Sequence, residues 1–144
     1  IKIINSPKIY FQRMRKISLF PRIVAAYDDN SIHGLYTCSV IFPKDKVAMS
    51  LKYILTLLNS HLINIWYKNY DTDIEIKLAS VKNIPIANAT QNQQMELSTL
   101  GDKITRIKQE NHTANVSDLE SQINRLVYQI YNLTEEEIKI VESC

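Results

Sequence analysis

Glycine is nearly missing from this 144-residue chain: Gly34 and Gly101 are the only two. No glycine-rich loop that cradles a phosphate, of the P-loop or dinucleotide-binding kind, can be written with them, which argues against a nucleotide-binding catalytic domain. Cysteine is equally sparse. Cys38 and Cys144 stand far apart, with no Cys-x-x-Cys and no histidine at metal-ligand spacing, so a zinc site is not indicated; both read as free thiols of a reducing, cytoplasmic compartment. Charge of one sign is also lacking, since 17 Lys/Arg face 15 Asp/Glu. That balance neither demands a nucleic-acid partner nor supplies a polyanionic tail. With 45% hydrophobic residues the chain suits one domain with a real core, and argues against disorder and against a membrane span. Four Asn-x-Ser/Thr triplets, at Asn88, Asn111, Asn115 and Asn132, follow no signal peptide and read as chance products of an Asn-rich sequence. The chain opens at Ile1 rather than at a methionine, so it is expected to be a piece of a longer polypeptide.

What is present changes period partway along. Residues 8–18 and 22–28 are rich in aromatic and β-branched types, with Pro21 between them and Asp28-Asp29-Asn30 after, and read as two strands of a meander. Residues 35–42 follow a turn at His33-Gly34 and stop at Pro43, giving a third strand. From Ser50, Leu51, Ile54, Leu55, Leu58, Leu62, Ile65 and Trp66 recur at helical spacing, so one long helix is expected to about Tyr67, packed across the sheet. Extended patterns return at 74–79 and 81–86, the second ending at Ile84-Pro85-Ile86. The last third is helical. A stripe over Gln93–Lys108 is interrupted at Asn111 to Asn115; Ser117-Asp118-Leu119-Glu120 then reads as a capping box. Its helix carries Leu119, Ile123, Leu126, Ile130 and Leu133, a stripe too short for a coiled coil and expected to pack on the helix before it. Thr134 to Glu137 caps a short final helix, with acids at its positive end. The fold class expected is α+β: a small mixed or antiparallel sheet with a packed long helix, then a C-terminal helical bundle.

Charge follows the same division. Residues 1–85 hold twelve Lys/Arg against six Asp/Glu, whereas residues 86–144 hold five against nine. A basic sheet half raises a polyanion partner without settling one. Its densest cluster is Gln12, Arg13, Arg15, Lys16 and Arg22, interleaved with Tyr10, Phe11 and Tyr27. Arginine forks onto phosphates or guanine edges and glutamine bridges adenine, so this composition suits duplex DNA, although strand alternation lets at most half of it share a surface. His33 and Tyr36, beside these strands, complete the candidate contacts. Asp71-x-Asp73-x-Glu75-x-Lys77 resembles a magnesium nuclease string, but its first carboxylate lies on the same short segment as the glutamate. A charged loop running into an edge strand is the better reading. His33, His61 and His112 have no Ser or Cys to pair with, so no catalytic triad is indicated; His61 reads as a partly buried hydrogen-bonding residue. No catalytic residue and no metal ligand is assigned.

Several strings are familiar together: Leu58-Asn59-Ser60 in an apolar helix, Asn83-Ile84-Pro85-Ile86 after it, Gln91 to Gln94 opening a helix, and the run from Leu119 to Ile138, above all Val127-Tyr128-x-Ile130-Tyr131-x-Leu133-Thr134-x-Glu136-Glu137. Over about Ile9 to Glu142 the chain resembles the TaqI-like C-terminal specificity domain, the target-recognition part of adenine-specific DNA methyltransferases, including fused restriction-modification enzymes. The resemblance implies a non-catalytic DNA-reading domain, residues 1–90 forming the recognition subdomain and 91–144 a helical one within one unit. It also implies double-stranded DNA as partner, no membrane, and an upstream methyltransferase domain in the same polypeptide. That domain binds S-adenosylmethionine and acts through an Asn-Pro-Pro-Tyr-type tetrapeptide, with magnesium needed only if the parent also cuts DNA; neither tetrapeptide nor cofactor is expected in this chain. Asn59, Ser60, Pro85, Tyr128 and Glu137 read as scaffold. Gln12, Arg13, Arg15, Lys16, Arg22, Tyr27, His33 and Tyr36 are chosen on chemistry and location, not on matched motif positions. The alternative is a helical protein-docking module of a multi-subunit restriction-modification complex.

Overall fold

The computed structural model describes residues 5–30, 36–44 and 48–144. Three strands, β1 (Lys8–Gln12), β2 (Ala25–Asp28) and β3 (Cys38–Ile41), precede the helices α1 (Leu51–Leu58), α2 (His61–Tyr70), α3 (Leu78–Val81), α4 (Gln91–Glu110), α5 (Ser117–Ile130) and α6 (Glu135–Glu142). The α+β class is as the sequence indicates, but the sheet is not a meander. Its order is β2-β1-β3, all antiparallel, so the first strand lies in the middle. Ile9 faces Tyr27 on one side and Ile41 on the other, and Ile9 and Phe11, at most 1% exposed, point into the core. The strands are also shorter than the patterns suggest. After Gln12 the chain leaves the sheet, because Met14 bridges to Glu75 rather than to β2.

The helix expected from 50 to 67 is two helices broken at Asn59-Ser60. The break is built from side chains. Ser60 caps α2 by accepting from the Ile63 amide, while its own hydroxyl donates to Leu57 O at 2.7 Å. Asn64, fully buried, donates its amide to Leu58 O and Ser60 O, so carbonyls freed at the end of α1 are satisfied. Both asparagines of the corner also hold the strand beside it. Asn64 Oδ1 accepts from Ile23 N at 2.6 Å, and the Asn59 amide exchanges two bonds with Ala25, mimicking a neighbouring backbone.

The extended segments expected at 74–79 and 81–86 are corrected likewise. Only Glu75 makes a bridge, and Leu78–Val81 is one short helical turn. Thr90 and Gln93 form a full capping box at the start of α4, as do Thr134 and Glu137 at α6. Ser117, in contrast, is the first residue of α5 and not its cap: Val116 holds that position, and the Ser117 amide is satisfied by Asn115 Oδ1. At the other end Asn132 turns left-handed (φ 53°), with Asn132 N bonding Gln129 O and Leu133 N bonding Tyr128 O. This is a Schellman close, in which asparagine tolerates the positive φ.

One core joins the sheet and the helices. Tyr53 and Leu57 of α1, both 0% exposed, lie in the same cluster as Ile9 and Phe11, Leu97 and Leu100 of α4, and Ile123 and Val127 of α5. Gly101 lets α4 close on α1, since a Cβ there would meet Thr56 Oγ1 at 2.5 Å.

Candidate nucleic-acid interface

Beyond the end of the sheet, residues 13–15 are gripped from two sides. Arg13 N bonds Thr37 O at 2.7 Å, Ile76 N bonds Arg13 O at 2.8 Å, and Arg15 N bonds Ile74 O at 3.1 Å. The segment before β3 and the segment after α2 thus meet at Arg13. Half-exposed side chains crowd this junction: Met14 at 50%, Ile74 at 49% and, at the tip, Tyr36 at 99%. Arg13 Nε meets Glu75 Oε1 at 2.9 Å, and Lys77 Nζ meets Asp73 Oδ2 at 2.7 Å.

The Asp71-to-Lys77 string is turn chemistry. Asp71 Oδ1 accepts from Asp73 N and Asp73 Oδ1 from Glu75 N, side chains bonding the backbone two residues on. Asp71 also accepts from the Ser80 hydroxyl, whose bond holds its carboxyl below the usual range. Lys77 lowers Asp73 in the same way and is itself raised by it. Each of these three carboxylates already serves a neighbour, and no group of three His, Cys, Asp or Glu able to hold a metal occurs among the described residues.

The sequence-chosen contacts separate into distinct environments. Arg13, Lys16 and Tyr36 are exposed, and Gln12 is half-buried with Lys16 close by in sequence. A bend at Arg13 lets Arg15 swing back to Gln12, Nη1 to Oε1 at 3.3 Å, while Arg15 Nε donates to Pro21 O at 2.6 Å. Arg22 is corrected outright. It is 1% exposed and donates Nη1 to Arg15 O and Lys16 O and Nη2 to Asp73 O, pinning the loop between β1 and β2 to the segment after α2. Five donors on one planar fork suit that task, and none is left to face solvent. Tyr27 is corrected too: it lies on the core face of β2, opposite to Gln12's face, with Lys52 Nζ 5.3 Å from its ring centre. His33 lies outside the described residues.

Sequence reasoning missed Glu75 as the partner of Arg13, 62 residues away. It also missed the apolar side chains that the loop leaves partly exposed, Ile17, Leu19, Phe20 and Val24. The density of such residues between 17 and 24 was the available signal. His61 is half-buried as expected, its Nε2 3.0 Å from Val141 O and its ring edge-on to Phe20. Beneath the junction, the Tyr67 hydroxyl is buried without a hydrogen-bond partner beside Asp71. Burial first, and the Asp71 charge second, push its pKa up to about 12.

A family model, the TaqI-like C-terminal specificity domain, matches residues 1–86. The matched span holds the sheet, α1 to α3, the Leu58-Asn59-Ser60 corner and all the candidate contacts. The helical run from Leu119 to Ile138, which also carried the resemblance, lies beyond it. No curated protein matches the chain.

Proposed function

Because the chain belongs to the TaqI-like C-terminal specificity domain family, we propose that it reads duplex DNA for a restriction-modification adenine-specific methyltransferase, working in the cytoplasm beside an upstream catalytic domain of the same polypeptide. The observation that carries this reading is the family match over the very residues that gather Arg13, Lys16 and Tyr36 on one exposed junction. In it, cations such as Lys16 hold phosphates, and Arg13 and the Gln12 amide address base edges. The catalytic domain takes the adenine out of the stack.

S-adenosylmethionine, which supplies the methyl group when bound, belongs to that domain and does not fit this chain. Of the two glycines, Gly101 is packed on Thr56 in the middle of α4, so it forms no phosphate or cofactor loop, and no step is assigned to the cofactor here. Magnesium would enter only with an endonuclease domain. No helix among the described residues is long and apolar enough to cross a membrane.

The test is fluorescence anisotropy of a labelled mixed-sequence duplex against the chain, titrated from about 50 to 200 mM salt. Affinity is expected to fall steeply with salt, and Lys16→Ala to lower the log-log slope by about one, as one phosphate contact should. Salt-insensitive self-association without duplex affinity would overturn this reading. It would favour a protein-docking module, for which the exposed Met95 of α4 and Ile140 of α6 are the available surface.

A further inference from the structure

The Arg13–Glu75 pair is unusual in how firmly it is placed and how little folding needs it. The backbone fixes both partners, Met14 pairing with Glu75 in an isolated bridge and Ile76 N bonding Arg13 O. Yet the side chains are 50% and 36% exposed, where ion pairs add little to stability. Glu75 takes the Nε of Arg13. The two terminal nitrogens of the guanidinium have no partner among the described residues, so the end-on fork is open while its stem is held.

A phosphate grip does not explain this arrangement. A carboxylate at 2.9 Å from the guanidinium repels a phosphate arriving at the same fork, and Lys16, exposed on the adjoining turn, grips phosphate without a buttress. A base edge is a different ligand. Guanine offers O6 and N7 as two neutral acceptors spaced for an arginine fork, and the cytosine paired with it offers an N4 amine that a carboxylate accepts.

Resting on the duplex-recognition reading above, we propose that Arg13 and Glu75 form one base-reading unit for a G·C pair in the major groove. Arg13 makes the bidentate contact to guanine. Glu75 is its positioning residue, holding the guanidinium by Nε and lying where it can accept from the cytosine amine.

The experiment is selection of binding sites from a random-core duplex library with the wild-type chain, Arg13→Ala, Glu75→Ala, Glu75→Gln and the double alanine variant. Wild type is expected to enrich a site containing an essential G·C pair. Arg13→Ala should lose preference at that pair alone, by about ten- to a hundredfold, the range of one bidentate contact. Glu75→Ala should lose less, Glu75→Gln should regain part of it by restoring an acceptor for Nε, and Glu75→Ala should be silent once Arg13 is gone. A merely structural role would not confine the change to one base pair. Uniform weakening by Arg13→Ala across all sequences overturns the unit and makes Arg13 a phosphate contact, leaving duplex recognition standing. Absence of duplex binding by the wild type overturns the recognition reading, and the unit with it.

Discussion

The loop between β1 and β2 has an inner and an outer side, and arginine serves both. On the inner side Arg22 is sealed from solvent and spends its two terminal nitrogens on three backbone carbonyls, while Asn64 and Asn59 fasten the residues that follow it to the α1–α2 corner. On the outer side Arg13 is half-exposed and makes one ion pair. The difference teaches that residue type does not reveal role here; the number of carbonyls converging on a side chain, and its distance from water, do. Buried polar bonds are costly to break because the groups left behind cannot turn to water, whereas exposed ones are replaced by solvent.

The sharpest way to break this comparison is to exchange the costs. Arg22→Ala leaves three carbonyls and a buried void, and is expected to cost about 3–5 kcal/mol in urea unfolding. A loss as small as that of a surface arginine would end the distinction between the two sides. Asn64→Leu strips Ile23 N and two carbonyls of partners and should cost about 2–4 kcal/mol, read from the same denaturation curves.

The helical side of the molecule offers a steric test. Gly101→Ala drives a methyl against Thr56 Oγ1; overpacking of about 1–3 kcal/mol exceeds the gain of up to about 1 kcal/mol in helix propensity, so net destabilisation is expected. Adding Thr56→Ala should relieve most of it, a coupling that thermal unfolding of the four variants would show.

Alkali sharpens the inner side further. Tyr53 and Tyr67 are both pushed up from 10.0 to about 12, first by burial. A group whose pKa is higher folded than unfolded contributes its full stability below the unfolded value and loses it as pH climbs through the folded one. Stability should therefore fall between about pH 10 and 12. Tyr67→Phe, which removes an unpartnered hydroxyl, should change stability at neutral pH by less than about 1 kcal/mol and make the alkaline decline shallower. Circular dichroism across that range would detect an unchanged slope, which contradicts the assignment. Smallest of all, Arg13→Ala should cost less than about 1 kcal/mol of stability, because an exposed ion pair contributes no more, while altering DNA binding as set out above.

Local chemistry was legible where it acts over three or four residues. The Thr134–Glu137 box, the stripe of α5 and the strand character of 8–12 need only neighbours to form. Thr90 and Gln93 carried the same signature and would have marked the start of α4. The break at Asn59-Ser60 was harder to see, since an uninterrupted apolar period runs through it; Asn64 and Ala25 make the corner favourable, and the second is 34 residues away. Ser117 misled for a related reason, as Asn115 reached the free amide first.

Of the candidate contacts, composition found the basic and aromatic cluster but could not divide it. Gln12 and Tyr27 are on opposite faces because the registers of β1 and β2 put them there, and Arg22 is inside because Asp73 arrives from another segment. The sequence by itself determined the α+β class, the helical last third, the uneven distribution of charge and the resemblance whose family model spans residues 1–86. These rest on periodicity, capping and composition, which short-range forces read directly. Only the tertiary structure decided that β1 is the central strand, that Arg22 is a buried pin and that Glu75 stands beside Arg13. Each depends on segments far apart in the chain meeting at a fixed register, and the free energy that fixes it comes from the shared core of Ile9, Phe11, Tyr53 and Leu57 rather than from any local pattern.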